Sequence, residues 1–244
     1  MNIVCIVQAR TGSTRLPGKV LKKICGETVL EHVINRLKRV KNINRIVIAT
    51  TIKKQDDTIV EIAKKSLVGY FRGSEEDVLS RYYYAAKGNS ADVVVRITSD
   101  CPLIDNEVTE KIIQYYLNNN SKYDYVSNTI DRTYPRGLDT EVFSFDVLER
   151  AFNEAESERD REHVTPYIWD NPIMFKLYQY KNKADYSDLR WTLDTIDDLK
   201  LINNIYNKLY YDKGNQFCME DILNLYKKYP ELTSINKNVH QKII

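Results

Sequence analysis

The first half of the chain alternates short apolar runs with amphipathic stretches, and that alternation leaves few folds open. IVCIV (3–7), RIVIAT (45–50), a brief run at 67–71 and ADVVVRI (91–97) read as strands buried on both faces. The stretches 28–39, 55–65, 75–87 and 105–118 read as helices, and in the first of them Val29, Val33 and Leu37 mark one apolar face. Strands joined through helices run parallel in one sheet, with helices covering both faces. In such α/β sheets a ligand lies beyond the carboxyl ends of the strands. The polar segments after the four strands are QARTGSTRLPGK (8–19), TTIKKQDD (50–57), RGSEED (72–77) and TSDCPLID (98–105), so all four are expected on one rim.

The alternation weakens after about residue 120. Pro135 and Gly137 signal turns, TEVFSF (140–145) reads as a strand, and a short helix follows. Residues 160–180 carry a helix and the alternating run FKLYQY (175–180), which suits an antiparallel or edge strand. DLRWTLDTIDDLKLINNIYNKLY (188–210) reads as a strand ending near Asp194 and leading into a helix, with a last helix at 219–229. No internal repeat or low-complexity linker intervenes, so residues 1–244 are expected to form one domain.

Composition narrows the partners. With 36 basic and 34 acidic residues the net charge is +2, which leaves no general positive field for nucleic acid. The four cysteines, Cys5, Cys25, Cys101 and Cys218, are scattered, as are His32, His163 and His240; the spacing offers neither a disulfide framework nor a Cys/His metal cluster. The apolar stretch at the N-terminus meets Arg10 too soon to span a membrane or serve as a signal peptide, so a soluble, cytoplasmic protein is expected. Eighteen tyrosines, clustered at Tyr82, Tyr83, Tyr84 and at Tyr115, Tyr116, suit half-buried helix flanks or a subunit interface.

The segment after the first strand has the chemistry of a triphosphate loop. Gly12 and Gly18 allow tight turns and close backbone approach to anionic oxygens. Arg10, Arg15 and Lys19 supply charge, Ser13 adds a hydroxyl beside Thr14, and Pro17 stiffens the approach to Gly18. The spacing is neither that of a Walker A loop, since five residues separate the glycines and Val20 follows Lys19, nor a dinucleotide fingerprint. As a bare surface loop it would set three cations side by side without compensation.

The loop resembles the signature A-R-x-G-S-x-R-x-P-G-K of the cytidylyltransferases that activate acidic sugars such as Kdo and sialic acid, and looks most like the spore coat polysaccharide (SpsF) branch. The likeness continues through RGSEEDVLSRYY (72–83), RITSDCPLID (96–105), YPRGLDTEVFS (134–144), REHVTPYI (161–168) and RWTLDTIDDL (190–199). It implies a three-layer Rossmann-like nucleotidyltransferase (GT-A-like) fold with a mainly parallel central sheet and a small antiparallel insertion. It implies CTP as cosubstrate, a sugar-acid acceptor, pyrophosphate as product, magnesium as cofactor, and a homodimer whose interface and acceptor pocket share residues 125–180.

Nucleotidyl transfer needs a divalent ion on the phosphates, and magnesium takes one or two carboxylates with phosphate oxygens and water. Asp100 and Asp194, each just past an expected strand, match the family's metal-binding positions, although Ser99 stands where the Kdo enzymes typically have glycine. Arg10, Arg15, Lys19 and Asp100 form the expected catalytic set. Ala9 joins the loop in the expected nucleotide-binding set, Thr50, Thr51, Arg72 and Gly73 lie where groups can meet a nucleotide's base, and Arg96 suits either the phosphates or a structural ion pair. Arg136, Asp139, Glu141, Arg161, His163 and Arg190 fall in the matching motifs of the acceptor half, where an arginine fork suits a carboxylate or phosphate and His163 suits acceptor contact, proton transfer or a surface role. Asp105 and Asp197 are better explained as helix caps. Three other readings stay open: transfer to a sugar 1-phosphate or non-sugar phosphate, a nucleotide-sugar glycosyltransferase, which an absent D-x-D motif disfavours, and a nucleotide-binding protein without turnover.

Overall fold

The computed structural model describes residues 1–241. In chain order the elements are β1 (Ile3–Gln8), the hairpin β2 (Lys23–Ile24) and β3 (Glu27–Thr28), α1 (Val29–Leu37), β4 (Arg45–Thr51), α2 (Asp57–Lys65), β5 (Gly69–Gly73), α3 (Val78–Gly88), β6 (Val93–Thr98) and α4 (Asn106–Asn119). There follow β7 (Tyr125–Ser127), β8 (Glu141–Ser144), α5 (Phe145–Glu154), α6 (Glu158–His163), α7 (Pro166–Trp169), β9 (Leu177–Gln179), α8 (Ile196–Lys213) and α9 (Met219–Lys228). The main sheet has seven strands in the order β5-β4-β1-β6-β8-β7-β9. All pairings in it are parallel except those β8 makes with β6 and β7.

Each central strand feeds two cores because its side chains alternate. Ile3, Cys5 and Val7 of β1 join Val93 and Val95 against α1, α4, α8 and α9, while Val4 and Ile6 face Leu79, Tyr82 and Ala86 of α3 and Leu148 of α5. The helices start where their caps dictate. Thr28 and Glu31 form a capping box on α1, Asp105 accepts from the Glu107 and Val108 amides at the start of α4, and Thr195 with Asp198 boxes the start of α8. The cap of α8 is therefore Asp198 with Thr195 and not Asp197, which is half-buried and pairs with Lys200.

Three expected elements sit differently. β5 begins two residues later than expected, because its half-buried GYFRG offers little alternation to mark its ends. FKLYQY does provide the edge strand β9, but β9 runs parallel to β7. The RWTL segment is extended without joining the sheet; it makes one isolated bridge, between Arg136 and Arg190. Trp191 N–H donates to the Arg136 carbonyl at 2.6 Å and Leu193 N–H to the Asp100 carbonyl at 2.7 Å, so the segment is threaded between two loops. That second bond delivers Asp194 to the side of Asp100. Among the described residues no helix is long and apolar enough to cross a membrane.

Candidate active site

The loop after β1 is closed on itself at Thr11, whose carbonyl accepts from the amides of Ser13 and Gly18 at 2.8 and 3.1 Å. Gly18 has φ 63°, a conformation that favours glycine, and it opens the single 3₁₀ turn 19–21 that presents Lys19. The anchor is Asp56, fully buried before α2: its carboxylate accepts from the Thr11 amide at 2.8 Å, the Thr11 hydroxyl at 2.6 Å and the Thr51 hydroxyl at 2.5 Å. Thr51 lies in the same segment as Asp56, but Thr11 is 45 positions away, so no local pattern marks Asp56 as the anchor of this loop.

Lys19 is the centre of the cluster. Its ammonium sits 2.6 Å from Asp100 Oδ2 and 2.8 Å from Asp194 Oδ1. Arg15 approaches Asp194 Oδ2 at 3.0 Å, and Arg190 donates to the same oxygen at 2.7 Å. Arg190 is itself held by Asp198 at 3.0 Å, and Asp198, fully buried, also accepts from the amides of Asp194 and Thr195 and from Asn236. Asp194 is thereby fixed by a second carboxylate that never faces the rim. The Thr195-to-Asp198 spacing of a capping box was a readable signal for it.

Burial alone would raise the Asp100 carboxyl, but the Lys19 charge and hydrogen bond hold it down at about 2. Burial likewise works against the Lys19 ammonium, and the two carboxylates override it and raise its pKa. A carboxyl depressed on folding contributes stability that is present above its unfolded pKa near 4 and is lost as the pH falls toward about 2. Lys19→Met removes the partner, so wild type is expected to melt above the variant at pH 6, with the gap in Tm narrowing as the pH falls from 5 to 3. A gap independent of pH would show that the ion pair contributes nothing.

The remaining candidates divide by place. Arg10 turns from the carboxylates toward Glu75, 3.4 Å away, and Glu75 also pairs with Lys53. Gly12 packs on Glu75, Ser13 Oγ meets the Leu16 amide at 3.4 Å, and the Ala9 amide donates to the Ala49 carbonyl. Thr50 is fully buried with its hydroxyl unpartnered, and Arg72 bonds the carbonyls of Thr51 and Lys53 and pairs with Asp57 at 2.7 Å. Gly73 lies under the Arg81 side chain. Arg96 pairs with Glu141 across the β6–β8 register, and Glu141 also accepts from Tyr125 and from Thr165 at 2.7 Å, so both are held in the interior. Asp139 makes a two-pronged pair with Arg132 at 2.5 and 2.9 Å. Arg136 stands beside them with its pKa lowered by burial and then by the Arg132 charge. Arg161 clamps Asp77, the cap of α3, and His163 closes α6 near Glu162, both on the α3 side of the sheet. The structure thus joins Arg15, Lys19, Asp100, Asp194 and Arg190 in one cluster and leaves Arg96, Glu141, Arg161 and His163 outside it.

With this arrangement established, the sequence pattern of the family described as Cytidylyltransferase matches residues 4–226. The chain belongs to the cytidylyltransferase family. It is a CTP-dependent nucleotidyltransferase. It is 44% identical over 245 residues to the uncharacterized protein MJ1063 of Methanocaldococcus jannaschii, covering 99% of this chain and 97% of the relative. It is 32% identical to the spore coat polysaccharide biosynthesis protein SpsF of Bacillus subtilis, over 85% of this chain and 87% of that one. A solved cytidylyltransferase from Leptospira borgpetersenii superposes with a TM-score of 0.91 at 36% identity, covering 100% of this chain and 99% of that one.

For a cytidylyltransferase the donor set is informative. No group of three or more His, Cys, Asp or Glu side chains is placed for a metal among the described residues. Two converging carboxylates fit a magnesium ion that takes its other ligands from phosphate and water, and the ammonium of Lys19 now stands between them.

Proposed function

We propose that this cytidylyltransferase transfers CMP from CTP to a sugar acid or related sugar, for surface polysaccharide or glycan biosynthesis. The observation that carries the reading is the meeting of Lys19 and Arg15 with Asp100 and Asp194 beside the wall of Arg132, Arg136 and Asp139. The acceptor hydroxyl attacks the α-phosphorus; a new O–P bond forms, the bond to the β-phosphate breaks, pyrophosphate leaves, and the hydroxyl proton is released. Lys19 and Arg15 turn from the carboxylates to the phosphate oxygens, where fixed positive charge stabilises the charge gained in the transition state. Asp100 and Asp194 would hold magnesium, which would supply charge neutralisation on the phosphates. Arg136, its charge disfavoured by burial and by the neighbouring Arg132, suits an acceptor that carries an anion. The polysaccharide role of SpsF, 32% identical, supports the same assignment.

The test is pyrophosphate release with each NTP against sugar acids, sugar 1-phosphates and neutral sugars. CTP with a sugar acid is expected to release pyrophosphate and yield a CMP-sugar. Turnover confined to sugar 1-phosphates, or sugar transfer from a nucleotide sugar without pyrophosphate, would overturn the acceptor assignment.

A further inference from the structure

The segment after α9 reaches back to the active-site cluster, although it lies beyond the part of the chain that carries the family pattern. Leu232, in the 3₁₀ turn Pro230–Ser234, is buried in the same core as Leu201, Ile205 and Leu225, and Ile235 packs on that core. So anchored, the chain runs alongside residues 190–198. Asn236 is 6% exposed, and its side-chain amide donates to the Arg190 carbonyl at 3.0 Å and to Asp198 Oδ1 at 2.8 Å. Gln241 Oε1 accepts from Arg190 Nη1 at 2.6 Å.

These contacts carry weight because the RWTL segment has no ladder to hold it. A strand inside a sheet has its backbone groups taken up by its neighbours, whereas this segment makes one isolated bridge. The Arg190 carbonyl, which a neighbouring strand would have satisfied, is taken by the amide of Asn236 instead. The guanidinium of Arg190 is fixed at three corners: Nε on Asp198 at 3.0 Å, Nη2 on Asp194 Oδ2 at 2.7 Å, and Nη1 on Gln241. While Arg190 holds Oδ2 of Asp194, Oδ1 meets Lys19 at 2.8 Å. A long arginine aims a carboxylate only if its own partners are fixed, and two of those partners are held or supplied by the segment after α9.

We propose that Asn236, assisted by Gln241, is a positioning residue for nucleotidyl transfer: it fixes Arg190 and Asp198, and through them the orientation of the Asp194 carboxylate. The proposal rests on the reading that Asp194 serves the phosphates and their metal ion, so the test separates the two. Manganese, a paramagnetic stand-in for magnesium, is titrated into the full chain with CTP and followed by electron paramagnetic resonance, which needs no acceptor. Asn236→Ala is expected to weaken manganese binding about tenfold, the scale of losing a partner behind a metal ligand. Gln241→Ala should weaken it about threefold, the scale of one ordinary hydrogen bond. CTP affinity measured by calorimetry without metal should match wild type for both. Asp194→Asn should lose at least as much as Asn236→Ala, and adding Asn236→Ala to it should cost nothing further, because a residue that acts through Asp194 then has nothing left to orient. A residue that only props up the fold would add its own loss. Should Asn236→Ala not fold, Gln241→Ala removes an exposed side chain and allows the same comparison. Wild-type manganese binding in both Asn236→Ala and Gln241→Ala while Asp194→Asn loses it, or losses that add in the double variant, would overturn this proposal alone. An Asp194→Asn variant that binds manganese as wild type does would overturn the reading of Asp194, and this proposal with it.

Discussion

Asp194→Asn is expected to lower kcat/KM for cytidylyl transfer by about 10²- to 10³-fold, the scale of losing one preorganised charge at a reacting phosphate. The substitution keeps shape and hydrogen-bonding capacity but removes the charge that Lys19, Arg15 and Arg190 all address. Arg190 retains Asp198, at 3.0 Å, so the loop itself should keep its place. The loss should therefore appear in turnover and in a raised magnesium requirement, with little change in CTP affinity measured without magnesium. Asp100→Asn should behave alike, because its carboxylate meets the same ammonium at 2.6 Å. Turnover within threefold of wild type at limiting magnesium would remove Asp194 from the proposed mechanism.

Gly137→Ala is expected to destabilise the fold by about 2–4 kcal/mol, the range of strain at a disallowed backbone conformation combined with a backbone clash. Gly137 has φ 107°, and a Cβ there would lie 2.6 Å from the Trp191 carbonyl carbon and 2.8 Å from the Thr192 nitrogen. Both neighbours are backbone, so neither can rotate away. Their segment is the one that carries Asp194 to the rim, and activity should fall along with stability. Gly26→Ala is the control: Gly26 also has a positive φ, 90°, but nothing lies within 4 Å of the added methyl. Denaturant unfolding should therefore show a much larger midpoint shift for Gly137→Ala than for Gly26→Ala. Equal shifts would mean that the close approach to residues 191–192 is not what requires glycine.

Legibility followed burial. β1, β4 and β6 could be read because they are apolar on both faces, and the rim was legible because polar, glycine-bearing segments follow them. β5 was displaced in the reading because an edge strand half-open to water has no such contrast. RWTL resembled a strand because Trp191 and Leu193 alternate into the core, yet side-chain alternation does not reveal whether a neighbouring strand exists. Arg96 was visible as a charge in an apolar run and Glu141 as a member of an acceptor motif; that they answer one another depends on the β6–β8 register. Arg190, in a motif that suggested the acceptor, spends its donors on Asp194, Asp198 and Gln241.

The sequence by itself determined the layered α/β architecture, the Asp105 cap of α4 and the cationic glycine loop. Each depends on neighbours a few residues apart, through the strand period, the helix cap or the local density of charge. Only the tertiary structure decided which charges meet. Lys19 faces Asp194 across 175 positions of chain, and Arg161 faces Asp77 across 84. Such pairings are set by how strands stack and loops close, and no local pattern encodes the outcome.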